Sequence, residues 1–298
     1  MKSIESISRR EFIKSASAAA IATPLLLSAA EKTTAAKSDK SRVVLVRDLN
    51  VLGETGMPQQ AVVQEMLDTG IKALTGKPDP QSAWKTIIEP DDIVGIKNNR
   101  WPYLKTTAEV ENALKKRIVQ AGVKEPNISI DDLNVLRNPI FQKATALVNA
   151  RPMRSHHWAG VGGLIKNYIM FLPDPSSIHG DSCADLASIW DLPIVRGKTR
   201  LNVLVMFTPQ FHSFGPHSFS PKYVWKYYGL LLGFDAVAVD ATGLRIIEAI
   251  RRDYFAEDRP LSPPAKHIAI ADTKYHLGTA DPQRIELIKI GYDKDAFV

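Results

Sequence analysis

Ile93-Val94-Gly95-Ile96-Lys97, introduced by Pro90-Asp91-Asp92 and followed by Asn98-Asn99, is the stretch on which the fold turns. A short apolar run with turn formers on both sides reads as a strand buried on two faces. Thr106-Thr107-Ala108-Glu109 then has the spacing of a capping box, with Thr106 three residues ahead of Glu109. The helix it opens carries Val110, Ala113, Leu114, Ile118 and Ala121 along one side and stops at Gly122. Asn127-Ile128-Ser129-Ile130-Asp131 follows as a strand, and residues 144–150 as another. Strand, helix and strand at these distances predict a parallel sheet with crossover helices. The expected fold class is α/β, a mainly parallel sheet flanked by helices in a single domain.

The same style runs outward in both directions. Residues 42–48 read as the first strand. Residues 58–76 read as a helix, with Pro58 beside its start and Gly76 at its close. Trp84, Ile87 and Ile88 supply a second apolar helical face. Downstream, residues 181–190 read as a helix and residues 201–207 and 228–234 as strands. A helix through residue 250 begins after Asp235, which suits a cap. Residues 267–271 and 285–290 are expected to complete the sheet. No internal repeat or heptad run is present.

At the N-terminus, Ser8-Arg9-Arg10-Glu11-Phe12-Ile13-Lys14 matches the twin-arginine export signal. An apolar run over residues 16–27 follows, then Ser28-Ala29-Ala30, small enough for a signal peptidase. The expected organisation is a signal peptide over residues 1–30, a flexible linker over 31–41 and an α/β domain over 42–298. An amphipathic helix packed on the domain is the alternative for residues 1–30. The signal implies export in the folded state through the twin-arginine translocase, to the periplasm or another extracytoplasmic space. The apolar run is shorter than the roughly 20 residues of a membrane span, so the mature chain is expected to have no stable span.

The formal net charge of +6 falls to +4 without the leader, which holds four basic and two acidic residues. There is no Lys/Arg block and no interleaving of basic with aromatic residues, which argues against nucleic-acid binding. Cys183 is the single cysteine. This excludes an intramolecular disulfide, and also an iron–sulfur cluster or c-type haem held by this chain alone. Cys183 itself reads as a packing thiol. The cofactor is unspecified, and a divalent metal held by His and Asp stays open.

The densest polar cluster runs from Arg154-Ser155-His156-His157 through Gly160-Val161-Gly162-Gly163 to Leu164-Ile165-Lys166-Asn167. It begins where the fourth strand should end, at the sheet edge where ligands of open α/β folds gather. Glycines ahead of a helix let backbone amides approach an anion. Arg154 and Lys166 would add charge, and His156 would act as general acid or base. The plain alternative is tight strand–helix packing, because the spacing is neither the dinucleotide fingerprint nor a Walker loop.

Several stretches together resemble the domain of unknown function 362 family. They are residues 90–99, Pro152-Met153-Arg154-Ser155-His156, Gly163-Leu164-Ile165-Lys166-Asn167, residues 233–241 and His276-Leu277-Gly278-Thr279-Ala280-Asp281. The likeness runs in order over nearly all of residues 43–292. It implies an architecture and candidate positions but no particular reaction. The chain departs from the family in having Arg154 where a lysine is usual, and Phe207-Thr208-Pro209-Gln210 where an Asp-Gly is common. The ferredoxin-like module fused to some members is absent.

Carried over position by position, the resemblance implies Lys97, His156 and Lys166 as catalytic candidates. Arg154, Gly162, Gly163, Asn167, Asn99 and Asp240 are the substrate-binding candidates. Asp240 also reads as an ordinary helix-start residue, and Lys97 as half of an ion pair. His179 and His212, with His156 and Asp185, supply donors suited to a metal. They lack the short spacing of zinc motifs, and no metal ligand is assigned. His217 is a further histidine expected near the cleft. Two functional readings follow. One is an exported enzyme acting on a small anionic or carbonyl substrate. The other is a non-catalytic periplasmic accessory or ligand-binding protein of a redox system, docked to a redox-enzyme partner.

Overall fold

Alternation along the strands sorts the apolar side chains into two layers. In β1 (Ser41–Arg47), Val43 and Leu45 join one core cluster while Val44 and Val46 join the other. A computed structural model describes residues 40–213 and 219–298. The expected signal peptide, residues 31–39 of the expected linker and His217 lie outside the described residues. The remaining strands are β2 (Val94–Lys97), β3 (Ile128–Asp131), β4 (Ala146–His156), β5 (Gly160–Gly162), β6 (Thr199–Gln210), β7 (Gly229–Gly233) and β8 (Ile285–Gly291). They form one sheet in the order β3-β2-β4-β6-β7-β1-β8, with β5 hydrogen-bonded to β4. Only β5 and β7 run against their neighbours. The fold is α/β with a mixed, mostly parallel sheet.

The helices are α1 (Gln60–Thr75), α2 (Pro80–Trp84), α3 (Ala108–Gln120), α4 (Pro139–Lys143), α5 (Leu164–Asn167), α6 (Gly180–Cys183), α7 (Ala236–Phe255) and α8 (Lys266–Thr273). Apolar faces of α1, α2 and α3 cover one side of the sheet, and those of α5, α7 and α8 the other. The chain leaves β2 through α3 on the first side and leaves β4 through α5 on the second. Neighbouring strands whose connections part in this way open a crevice between them. Here it opens beyond Lys97, where β2 stops and β4 runs on.

Four local expectations are corrected. Residues 267–271 are part of α8, not a strand, and Ile268 and Ala271 meet the core at helical spacing. Residues 181–190 are divided between the end of α6 and a 3-10 segment, Leu186–Asp191. Asp181, Ser182 and Cys183 there have φ of 45°, 60° and 60°, so no continuous helix passes through them. Thr106 is not a cap. Its hydroxyl donates to Ala150 O at 2.9 Å and accepts from Asn99 N at 3.0 Å, tying the loop after β2 to β4. The fourth strand continues to His156 instead of ending at residue 150. Among the described residues, no helix is long and apolar enough to cross a membrane.

Candidate functional site

Register sets the floor of the site. Lys97 of β2 lies opposite Asn149 of β4, which lies opposite Asn202 of β6. These side chains form a buried polar row on the face covered by α5. Asn149 Nδ2 donates to Asn202 Oδ1 at 3.2 Å and to Leu164 O at 3.0 Å. Asn167 Nδ2 donates to Asn149 Oδ1 at 2.8 Å and to Lys97 O at 3.1 Å. The Lys97 ammonium donates to Asp132, to Asn98 O at 2.8 Å and to Asn167 Oδ1 at 3.5 Å. A satisfied network of this kind fixes the geometry of α5 against the strands.

The other end of α5 is held by Asp240 of α7. Its carboxylate accepts from Leu164 N at 2.7 Å and from Ile165 N at 2.9 Å. The anion expected at these amides is therefore the chain's own side chain. Gly163 leaves room for that carboxylate, and a Cβ there would collide with it. A Cβ at Gly162 would lie 2.9 Å from Arg151 Nη2, so this glycine makes space for a guanidinium. The glycine loop thus serves close packing of charged side chains instead of cradling an outside anion. Burial lifts the Asp240 carboxyl to about 6 despite the two amide donors.

Above this floor opens a cleft of about 370 Å³. The overhanging half of β4 brings Arg151, Arg154 and His156 to it, and α5 brings Lys166 and Asn167. Arg151, Arg154 and Lys166 are only 3%, 6% and 4% exposed. None of the three has an ion-pair partner among the described residues. Arg154 stacks 4.0 Å over the Trp101 ring and donates to Ser155 O at 3.3 Å, while its Nε has no partner there. Arg151 Nε reaches only Pro152 O, at 3.3 Å. Lys166 Nζ lies 3.7 Å from Cys183 Sγ, a weak contact. Asp132 also lines the cleft, but its carboxylate is engaged by Lys97 and by Arg100 N at 2.7 Å.

Burial without counter-charge disfavours the charged forms. It pulls Lys166 down to about 8, with Arg151 and Arg154 adding repulsion, and brings Arg154 to about 9 and Arg151 to about 10. Burial brings Lys97 to about 8, in spite of Asp132. His156 accepts from Trp158 N at Nδ1, at 3.2 Å, which leaves its proton on Nε2. Burial and the cations Lys166, Arg154 and Arg151 hold it far below its ordinary range. It is thus a neutral imidazole at the cleft wall. His267 of α8 is fully buried, with neither ring nitrogen partnered among the described residues. Burial, then Lys166 and Arg151, pull it down to about 3.

Residues 104–245 match the family model described as Domain of unknown function (DUF362). The DUF362 segment holds Asp132, Arg151, Arg154, His156, Lys166, Cys183 and Asp240. Lys97 and Asn99 precede it and His267 follows it. No curated protein and no solved structure matches the chain.

Within and around the DUF362 segment the remaining candidates separate. Asn99 lines the cleft and accepts from Trp101 N at 3.3 Å. Lys97, Gly162, Gly163 and Asp240 stand behind its wall. His179 lines the cleft beside Trp158, with the rings 4.3 Å apart. His212 instead meets Arg251, Nδ1 to Nη1 at 3.1 Å, in a separate cavity of about 310 Å³. Asp185 lies exposed, bonded to Lys274 at 2.6 Å and Tyr275 at 2.7 Å. The set of His156, His179, His212 and Asp185 therefore does not meet. Among the described residues, no group of three His, Cys, Asp or Glu side chains is arranged to hold a metal. Sequence reasoning missed Arg151, Asp132, Trp101, Trp158 and His267. Arg151 had a signal, since it continues the period-two alternation of Leu147 and Asn149.

Proposed function

We propose that the cleft binds a small organic anion and that the chain acts on it as an enzyme outside the cytoplasm. One observation carries the reading: Arg151, Arg154 and Lys166 are buried together on one cleft, none of them in an ion pair among the described residues, and the nearby Asp132 and Asp240 are taken up by other donors. Uncompensated buried charge is costly, so such a cluster is best explained by an anionic ligand that completes it. Trp101, Trp158 and Met170 give the rest of the ligand an apolar wall. The twin-arginine motif supports export. An accessory protein would expose a broad apolar patch, and the aromatic run Trp225 to Tyr228 is the place in the sequence to look for one. Instead Tyr227 is buried and donates to Ala296 O at 2.7 Å, with Trp225 packed on it.

Titration calorimetry with sulfate and with small carboxylates tests the binding. Arg154→Gln is expected to weaken it by about tenfold or more, the scale of a charge-assisted hydrogen bond worth roughly 1.5–3 kcal/mol. Because the substitution also removes a buried unpaired charge, Tm should not fall. Failure of the native chain to bind any of these anions, or unchanged affinity in the variant, ends the proposal.

A further inference from the structure

We infer that Lys166 is a Schiff-base lysine, adding to the carbonyl of a 2-oxo carboxylate whose acid group sits on Arg151 and Arg154. This rests on the anion-binding reading and adds a substrate class to it. The cleft wall separates two buried lysines by their bonding. Lys97 is fully buried and spends its three protons on Asp132, Asn98 O and Asn167. Lys166 reaches the cleft itself and, among the described residues, has only the Cys183 thiol as a hydrogen-bond partner. A simple anion anchor would be better served by a third fixed positive charge. An amine set among cations is instead suited to losing its proton and becoming a nucleophile.

Burial and the neighbouring cations disfavour the charged amine, and together they outweigh the Cys183 thiol, which favours it. Arg151 and Arg154 are cationic, and His156 and His267 are held neutral by burial and by these same cations. Cys183 is held as a thiol, its pKa raised by burial. The run of left-handed residues from Asp181 to Cys183 places that thiol against the amine without supplying a carboxylate. Carboxylate and carbonyl on adjacent carbons match guanidiniums and amine that line one small cleft.

The step balances with no oxidant or reductant. The Lys166 lone pair forms a bond to the carbonyl carbon as the C=O π bond breaks, and a proton passes from nitrogen to oxygen. The C–O bond of this carbinolamine then breaks, water leaves with a second proton, and a C=N bond remains. His156, donating from Nε2, is the neutral group positioned on the cleft to assist the departing oxygen.

The experiment incubates the full chain with pyruvate and sodium borohydride and maps secondary amines by peptide mass spectrometry. Lactate, which has no carbonyl to form an imine, is titrated in parallel by calorimetry. The expected result is a reduced adduct at Lys166 with Lys97 unmodified. It should disappear in Lys166→Gln and fall about tenfold in Arg154→Gln, which loses the carboxylate anchor. Because the adduct is mapped on the native chain, the test survives a variant that fails to fold. Binding of lactate and pyruvate without an adduct at Lys166 overturns the inference and leaves anion binding standing. Absence of binding overturns both. Adducts spread evenly over exposed lysines also overturn the inference.

Discussion

On the proposed reading, Lys166 serves two demands that pH separates. As an ammonium it is a third cation for an anion, and as a free amine it is a nucleophile. Burial beside Arg151 and Arg154 places its transition at about 8, while those guanidiniums, though also lowered by burial, stay charged through this range. His156 and His267 are already neutral, and Cys183 remains a thiol, so Lys166 is the first of the facing groups to change on raising the pH from neutrality. Sulfate affinity is therefore expected to weaken between about pH 7 and pH 8.5, while the initial rate of pyruvate trapping rises over the same interval. Calorimetry and timed borohydride quenching measure the two trends. Trends of the same sign would assign the titration to another group. Stability has its own sign. The folded pKa lies below the unfolded 10.5, so the folded chain binds fewer protons between 8 and 10.5. The stability linked to Lys166 is present above 10.5 and is lost as pH falls through 8. Its charged form is thus held at a cost, which the proposed anion would offset.

At the scale of elements, the short helix α5 is fixed at both ends by polar contacts and has little room to adjust. Asp240→Ala leaves the Leu164 and Ile165 amides without their acceptor, at roughly 1–3 kcal/mol for each buried donor. Gly163→Ala drives a methyl into that same carboxylate and should cost about 1–3 kcal/mol as overpacking. The two substitutions share one contact, so the double variant should be less destabilised than their sum, because the clash disappears with the carboxylate. Urea unfolding of the four proteins measures the coupling, and strict additivity would show that Asp240 does not hold α5. The same element explains what local sequence conveyed and what it hid. The strand at residues 93–97 was legible because turn formers bracket an apolar run. The far half of β4 was not. Pro152 argues against a central strand, a register shift follows it, and Arg151, Arg154 and His156 replace the apolar alternation. Residues 267–271 are short and apolar, a pattern common to buried strands and helices, and tertiary packing decided for helix. Lys166 and His156 could be picked out beside their glycines. The acceptor for the α5 amides could not, because Asp240 lies some 75 positions away in the chain.

For the whole molecule, the cleft depends on parts of the chain far apart in sequence. Its floor needs β2, β4 and β6 in register, α5 is held by α7, and His267 arrives from α8. Residues 97–267 must therefore be in place before the cations share one cleft. A route that carries chains across a membrane already folded suits such a site, because any ligand or modification can be fitted first. If Arg9 and Arg10 direct that route, replacing both with lysine keeps their charge but removes the paired guanidiniums the motif requires. The Arg9→Lys, Arg10→Lys variant is expected to remain in the cytoplasmic fraction, with Met1 to Ala30 still attached. The native chain should appear outside the cytoplasm, beginning after Ala30. Sulfate affinity of the retained protein should equal that of the exported one, since every cleft residue lies between 97 and 267. Fractionation, N-terminal mass spectrometry and calorimetry on the two preparations separate the possibilities. Export of the variant at the native level would sever the motif from the route. Retention together with lost affinity would mean that the site is completed only after transport, against the order of events argued from its architecture.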